Sequence, residues 1–113
     1  MTQSTALLIS LIVEIPIVII LLRQLSSLNS FWLAILACGA TMLTHPIAWE
    51  SNQILIPYAS FSVRSTLIES FVVLVEGIIY WVVLKLRCQQ GLFISFIANI
   101  ASFVAGLIFF SWK

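Results

Sequence analysis

Residues 6–22 read ALLISLIVEIPIVIILL, seventeen positions of which thirteen are Leu, Ile or Val and one, Glu14, is ionisable. A helix rises about 1.5 Å per residue, so a run of this length approaches the roughly 20 residues needed to cross a hydrocarbon core. Three further runs of the same kind follow, giving apolar segments at about 6–22, 31–49, 66–86 and 92–112. Backbone groups in lipid must be satisfied internally, which makes each segment a helix. The alternating pattern of a membrane β-barrel is absent. The expected fold is all-α, a four-helix transmembrane bundle of antiparallel up-down topology, with residues 1–113 forming a single transmembrane domain.

Composition agrees with that reading. The chain is 62% hydrophobic and 8% charged over 113 residues, and a soluble domain this short would leave much of that surface unburied. A net charge of +1 with scattered basic residues gives no footprint for nucleic acid. The lipid bilayer is therefore the first expected partner. No glycine-rich phosphate loop, CxxC pair or HExxH is present. The leader MTQST lacks a positive charge and Glu14 interrupts the apolar run, so the first segment reads as a retained helix and not as a signal peptide. Cys38 lies near mid-span and Cys88 just beyond a span end, depths that argue against a disulfide.

The connections divide the helices. RQLSSLNS (23–30) and RCQQG (87–91) are short and polar, making neighbours of spans one and two and of spans three and four. ESNQILIPYASFSVRS (50–65) reads as a longer loop with an apolar ILIPY centre. Arg23, Lys85 and Arg87 fall at one end of the bundle, Arg64 and Lys113 at the other. By the positive-inside rule, three against two puts both termini and the long loop on the non-cytoplasmic side. Trp32, Trp49 and Trp112 mark span ends, as an aromatic belt does.

Each span also carries polar groups in its interior. These are Ser10 and Glu14 in the first, Thr41, Thr44 and His45 in the second, and Thr66, Glu69, Glu76 and Tyr80 in the third. The fourth has Ser95, Asn99, Ser102 and Gly106, which fall within a wedge of about 60° at 100° per residue. Glu69 and Glu76 share one face, about 20° apart and about 10 Å along the axis. The polar faces are therefore expected to turn inward. By depth they form two layers, one of Glu14, Glu76 and Asn99 joined by Thr41 and Ser102, the other of His45 and Glu69. Insertion scales charge about 2.5 to 3.5 kcal/mol for a carboxylate at a helix centre, so these groups need neutralisation or a partner. Pro46 removes a backbone donor from Met42 and disfavours helical geometry at His45, predicting a kink or an end to the second helix.

The buried polar core to watch is Glu14, Thr41, His45, Glu69, Glu76, Asn99 and Ser102. Three functional readings fit it. One is a structural or accessory subunit that docks a larger membrane complex or a second copy of itself. The second is proton-coupled transport of a small solute with Glu14 and Glu76 carrying the proton. The third is a divalent metal site drawn from His45, Glu69, Glu76 and Glu14, with zinc, iron or manganese in a hydrolytic or redox role. His45 has a plainer reading as a cross-helix hydrogen-bonding group, and the Ser95–Gly106 stripe as close helix packing.

The set VEIP, THPIAW, IESFVVLVEGIIY and ANIASFVAG resembles small four-helix integral membrane proteins of bacteria, cyanobacterial ones in particular. That resemblance implies a bacterial inner or thylakoid-type membrane and brings no activity with it. Length, helix number and Glu14 in the first helix are similar to the small multidrug resistance transporters. The Trp-Ser-Gly step of that family's third helix is missing, and Glu69, Glu76 and His45 are additional. The likeness is one of architecture only.

Overall fold

Four helices form over the apolar runs, and polar side chains cap the starts of the second, third and fourth. The structure is a computed structural model and describes residues 3–25 and 29–111. In order they are α1 (Gln3–Leu22), α2 (Ser30–Leu55), α3 (Phe61–Leu84) and α4 (Cys88–Ser111). Asn29 caps α2 by accepting from the Trp32 backbone N–H at 3.0 Å, and Ser60 does the same for α3 at Val63. The Gln90 side chain reaches back to the Arg87 N–H at 3.1 Å, closing the first turn of α4. Trp112 and Lys113, used above for the belt and the charge comparison, lie outside the described residues.

All four helices are long and apolar enough to cross a membrane, and the large apolar side chains on their outer faces, such as Ile12, Phe71, Val82 and Phe93, are exposed. This is the arrangement of an integral multi-pass membrane protein, whose outer surface meets lipid.

Two expectations need correction. Residues 50–65 do not form a long loop. Glu50–Leu55 continue α2, Phe61–Ser65 begin α3, and only 56–60 turn between them. Hydropathy falls at Glu50 because the chain approaches water, and nothing in ESNQIL breaks a helix. Nor does Pro46 end α2, which runs through it for two more turns. A helix packed among neighbours tolerates an interior proline. α3 stops at Leu84 because Lys85 takes a left-handed conformation, φ 56°, and Leu86 closes back onto the Trp81 carbonyl at 3.0 Å.

The helices form a ring. Each packs on its neighbours in sequence, α4 closes against α1, and among the described residues no diagonal pair brings Cα atoms within 8 Å, so α1 and α3 face each other through side chains. Along the bundle axis three tiers follow one another. At the end holding the α3–α4 turn, Val18, Leu22, Leu33, Ala37, Tyr80 and Ile94 make an apolar core. Here α3 and α4 cross closely. A Cβ on Gly91 would lie 2.6 Å from the Gly77 carbonyl oxygen, and one on Gly77 would lie 2.6 Å from Leu92 Cδ2. The middle tier is polar, and the tier beyond it encloses a cavity beside the α2–α3 turn.

Candidate functional site

Glu76 is the centre of the middle tier. It is 1% exposed and sits on the inner face of α3, where a charged group left alone would be costly. Two neighbouring helices supply donors. Thr44 on α2 donates to Oε2 at 2.6 Å, and Asn99 on α4 donates to Oε1 at 3.0 Å. Asn99 is held in place by its second contact, to the Ser95 carbonyl at 2.8 Å. Ser95 in turn donates to the Val73 carbonyl of α3 at 2.9 Å. The fourth helix joins through Glu14, also buried, whose carboxyl meets those of Glu76 and the Ser102 hydroxyl. Glu14 Oε1 has no hydrogen-bond partner.

A cavity of about 580 Å³ opens between all four helices on the α2–α3 side of this tier. Ser10, His45, Asn52, Glu69 and Ser102 give it its polar wall, and Phe61, Phe103 and Leu107 contribute apolar surface. The imidazole of His45 stacks on Trp49, with centroids 6.3 Å apart. Its Nδ1, like Glu69 Oε2, is buried and without a hydrogen-bond partner. An unpaired buried polar atom costs about 1–3 kcal/mol, so these two acceptors are the atoms of the cavity wall that stand to gain most from a donor. At the mouth, Arg64 ties the two helix ends together. Its Nε donates to Asn52 Oδ1 at 2.7 Å, Nη1 donates to the Ala59 carbonyl at 3.3 Å, and the guanidinium lies over the Phe61 ring.

The sequence candidates separate into two groups. Glu14, Glu76, Asn99 and Ser102 meet in the polar tier. His45 and Glu69 lie on the cavity wall, with Ser102 facing both. Thr41 is buried, yet its hydroxyl has no partner. Thr44, absent from the candidate core, is the residue that reaches Glu76. The two threonines are three residues apart, and only the angular position of Glu76 across the ring separates them, which a single helix cannot reveal. Tyr80 is fully buried with an unpaired hydroxyl beneath the tier. The Ser95–Gly106 stripe is not a close-packing seam along its length. A Cβ on Gly106 would meet nothing within 4 Å, because that end of the stripe faces the cavity.

Among the described residues no three His, Cys, Asp or Glu side chains gather closely enough to hold an ion. Glu14 and Glu76 pair in one tier while His45 and Glu69 face the other.

No family model, curated protein or solved structure matches the chain.

Proposed function

We propose that the bundle couples movement of a small solute to movement of a proton, with Glu14 and Glu76 as proton carriers and the cavity at His45 and Glu69 as the solute site. The observation that supports this most directly is the position of Ser102, which lies on the cavity wall near Glu14 and donates to the Asn99 carbonyl of the polar tier at 3.0 Å. Like charges in contact repel, and a proton held between the two carboxyls removes the repulsion. A solute arriving beside Ser102 then acts on the same pair. Intramembrane ionisable groups facing a cavity commonly mark such pathways. A single bundle encloses the cavity at one end only, so this reading includes a second copy completing the route. The cavity end carries the start of α1 and the end of α4 and faces the non-cytoplasmic side of a bacterial inner or thylakoid-type membrane, by the charge comparison of Arg23, Lys85 and Arg87 with Arg64 and Lys113.

The test uses proteoliposomes with a pH dye inside. They are presented in turn with amines, amino acids, carboxylates and sugars. One solute class is expected to move protons through the wild type and not through Glu76→Gln. Silence across the panel from folded protein removes this reading.

A second reading, the accessory subunit, is favoured by the way Glu76 ties α2, α3 and α4 together through Thr44 and Asn99. Under it the polar tier fixes helix register, and the apolar outer surface docks a larger complex. The chain then migrates with that complex in native gels of its own membrane, and no solute moves protons.

A further inference from the structure

The cavity beside His45 is not the only space that Glu69 faces. A second one, of about 470 Å³, lies on the outer side of α3 and α4, between Leu74 and Val73 of one helix and Phe96 and Ile100 of the other. Ser65, Glu69 and Phe103 line both. A carboxyl thus stands in the partition between a partly polar cavity among the four helices and a more apolar groove on the outer side of α3 and α4.

We propose that Glu69 is the counter-ion for an amphipathic primary or secondary amine, its ammonium between Glu69 and His45 and its apolar tail in the α3–α4 groove. This deepens the solute-site reading and rests on it, but it concerns binding and does not require transport.

Charge argues for a cation. No Lys or Arg lines either space among the described residues, and the nearest guanidinium, Arg64, is engaged with Asn52, the Ala59 carbonyl and the Phe61 ring. Glu69 therefore has no cation of the protein's own to face. Hydrogen bonding argues for N–H groups on that cation. Glu69 Oε2 and, in the tautomer protonated at Nε2, His45 Nδ1 are both buried acceptors without donors, and an ammonium supplies more than one. Trp49 and Phe103 also line this space, while the Phe61 ring is taken up by Arg64 and by its stack on Phe103. Shape argues for a tail, because Val73, Leu74, Phe96, Ile100 and Phe103 give the outer groove an aliphatic and aromatic wall, with Ser65, Thr66 and Ser70 confined to its Glu69 end. Such a ligand reaches the site sideways from the bilayer, past Ser65 and Phe103. The inner volume falls within the range of about 300–1,000 Å³ usual for small-molecule sites.

The experiment is equilibrium dialysis of n-octylamine, n-octanol and n-octyltrimethylammonium against the full chain in zwitterionic nanodiscs, with empty discs as the blank. Retention of octylamine above the blank is expected. The alcohol, which has no charge, and the trimethyl compound, which has no N–H, are each expected to bind at least about tenfold more weakly. Glu69→Gln of unchanged helical content is expected to lose octylamine binding by a similar factor. Equal retention of all three ligands by the wild type overturns the proposal without recourse to any variant. So does undiminished octylamine binding by folded Glu69→Gln. Specific amine binding without proton movement supports this site and removes only the transport reading. Proton-coupled movement of some other solute with no amine binding removes this site alone.

Discussion

Thr44 on α2 and Glu76 on α3, 32 residues apart in sequence, are joined by a 2.6 Å hydrogen bond in the middle of the bundle. The threonine hydroxyl has one hydrogen to give and two alternative acceptors in its own helix, the carbonyls of Ala40 and Thr41. Directing it at Glu76 links two helices, where the alternatives would link none. Thr44→Val keeps the shape and removes the donor, and is expected to lower stability by about 1 kcal/mol, the scale of an interhelical hydrogen bond in lipid. Thr41→Val deletes a buried hydroxyl that has no partner and is expected to be neutral or mildly stabilising. Reversible unfolding of detergent-solubilised protein compares the two. A larger loss at Thr41 would contradict the assignment.

Asn99 contacts the other oxygen of the same carboxyl. Two donors on one acceptor group act as a unit, so their removal is not additive. A double-mutant cycle with Thr44→Val and Asn99→Leu is expected to give a coupling of about 0.5 kcal/mol or more, measured on the Glu76 background. On a Glu76→Leu background the coupling should vanish. Coupling that survives there would mean the two residues communicate through helix packing instead.

The glycines divide by what surrounds them. Gly91→Ala pushes a methyl into the Gly77 carbonyl and Trp81 backbone. Backbone cannot yield as a side-chain tip does, so a loss of about 1–3 kcal/mol is expected. Gly39→Ala and Gly106→Ala meet open space and should gain from the better helix former, by up to about 1 kcal/mol. Thermal melts of the three variants in one detergent decide the order.

Arg64 holds the α2–α3 turn from three directions, through Asn52, Ala59 and Phe61. Arg64→Leu should leave the helices intact and raise hydrogen exchange of residues 56–60 several-fold. Exchange at 85–87, at the far end, should not change.

How much of this could be read from the chain varies by element. The four helices were legible because thirteen branched apolar residues around Glu14 have no stable alternative in water. The inward stripe of Ser95, Asn99 and Ser102 was legible because helical period is local. Where α2 ends was not, since hydropathy reports the lipid boundary and α2 crosses it at Glu50 without unwinding. The choice of Thr44 over Thr41 and the separation of His45 and Glu69 from the Glu14–Glu76 pair depend on the rotation of one helix against another. Packing across the ring sets that rotation, and no single segment encodes it. The Gly77–Gly91 crossing was missed for the same reason. Each glycine is unremarkable in its own helix, and only their apposition makes them a contact.

That crossing sets how the bundle can move. With α3 and α4 in contact at Gly77 and Gly91 and joined by a turn of three residues, any change in their crossing angle would turn about that point. Ser65 is twelve residues from Gly77, about 18 Å along the arm at about 1.5 Å per residue, so a swing of about 5° carries it about 1.6 Å. Such a swing would have to stretch the Ser95 contact to the Val73 carbonyl and part the stacked rings of Phe61 and Phe103. The lever arm thus converts a small angle at a pair of glycines into a much larger displacement beside Glu69, where the two spaces adjoin.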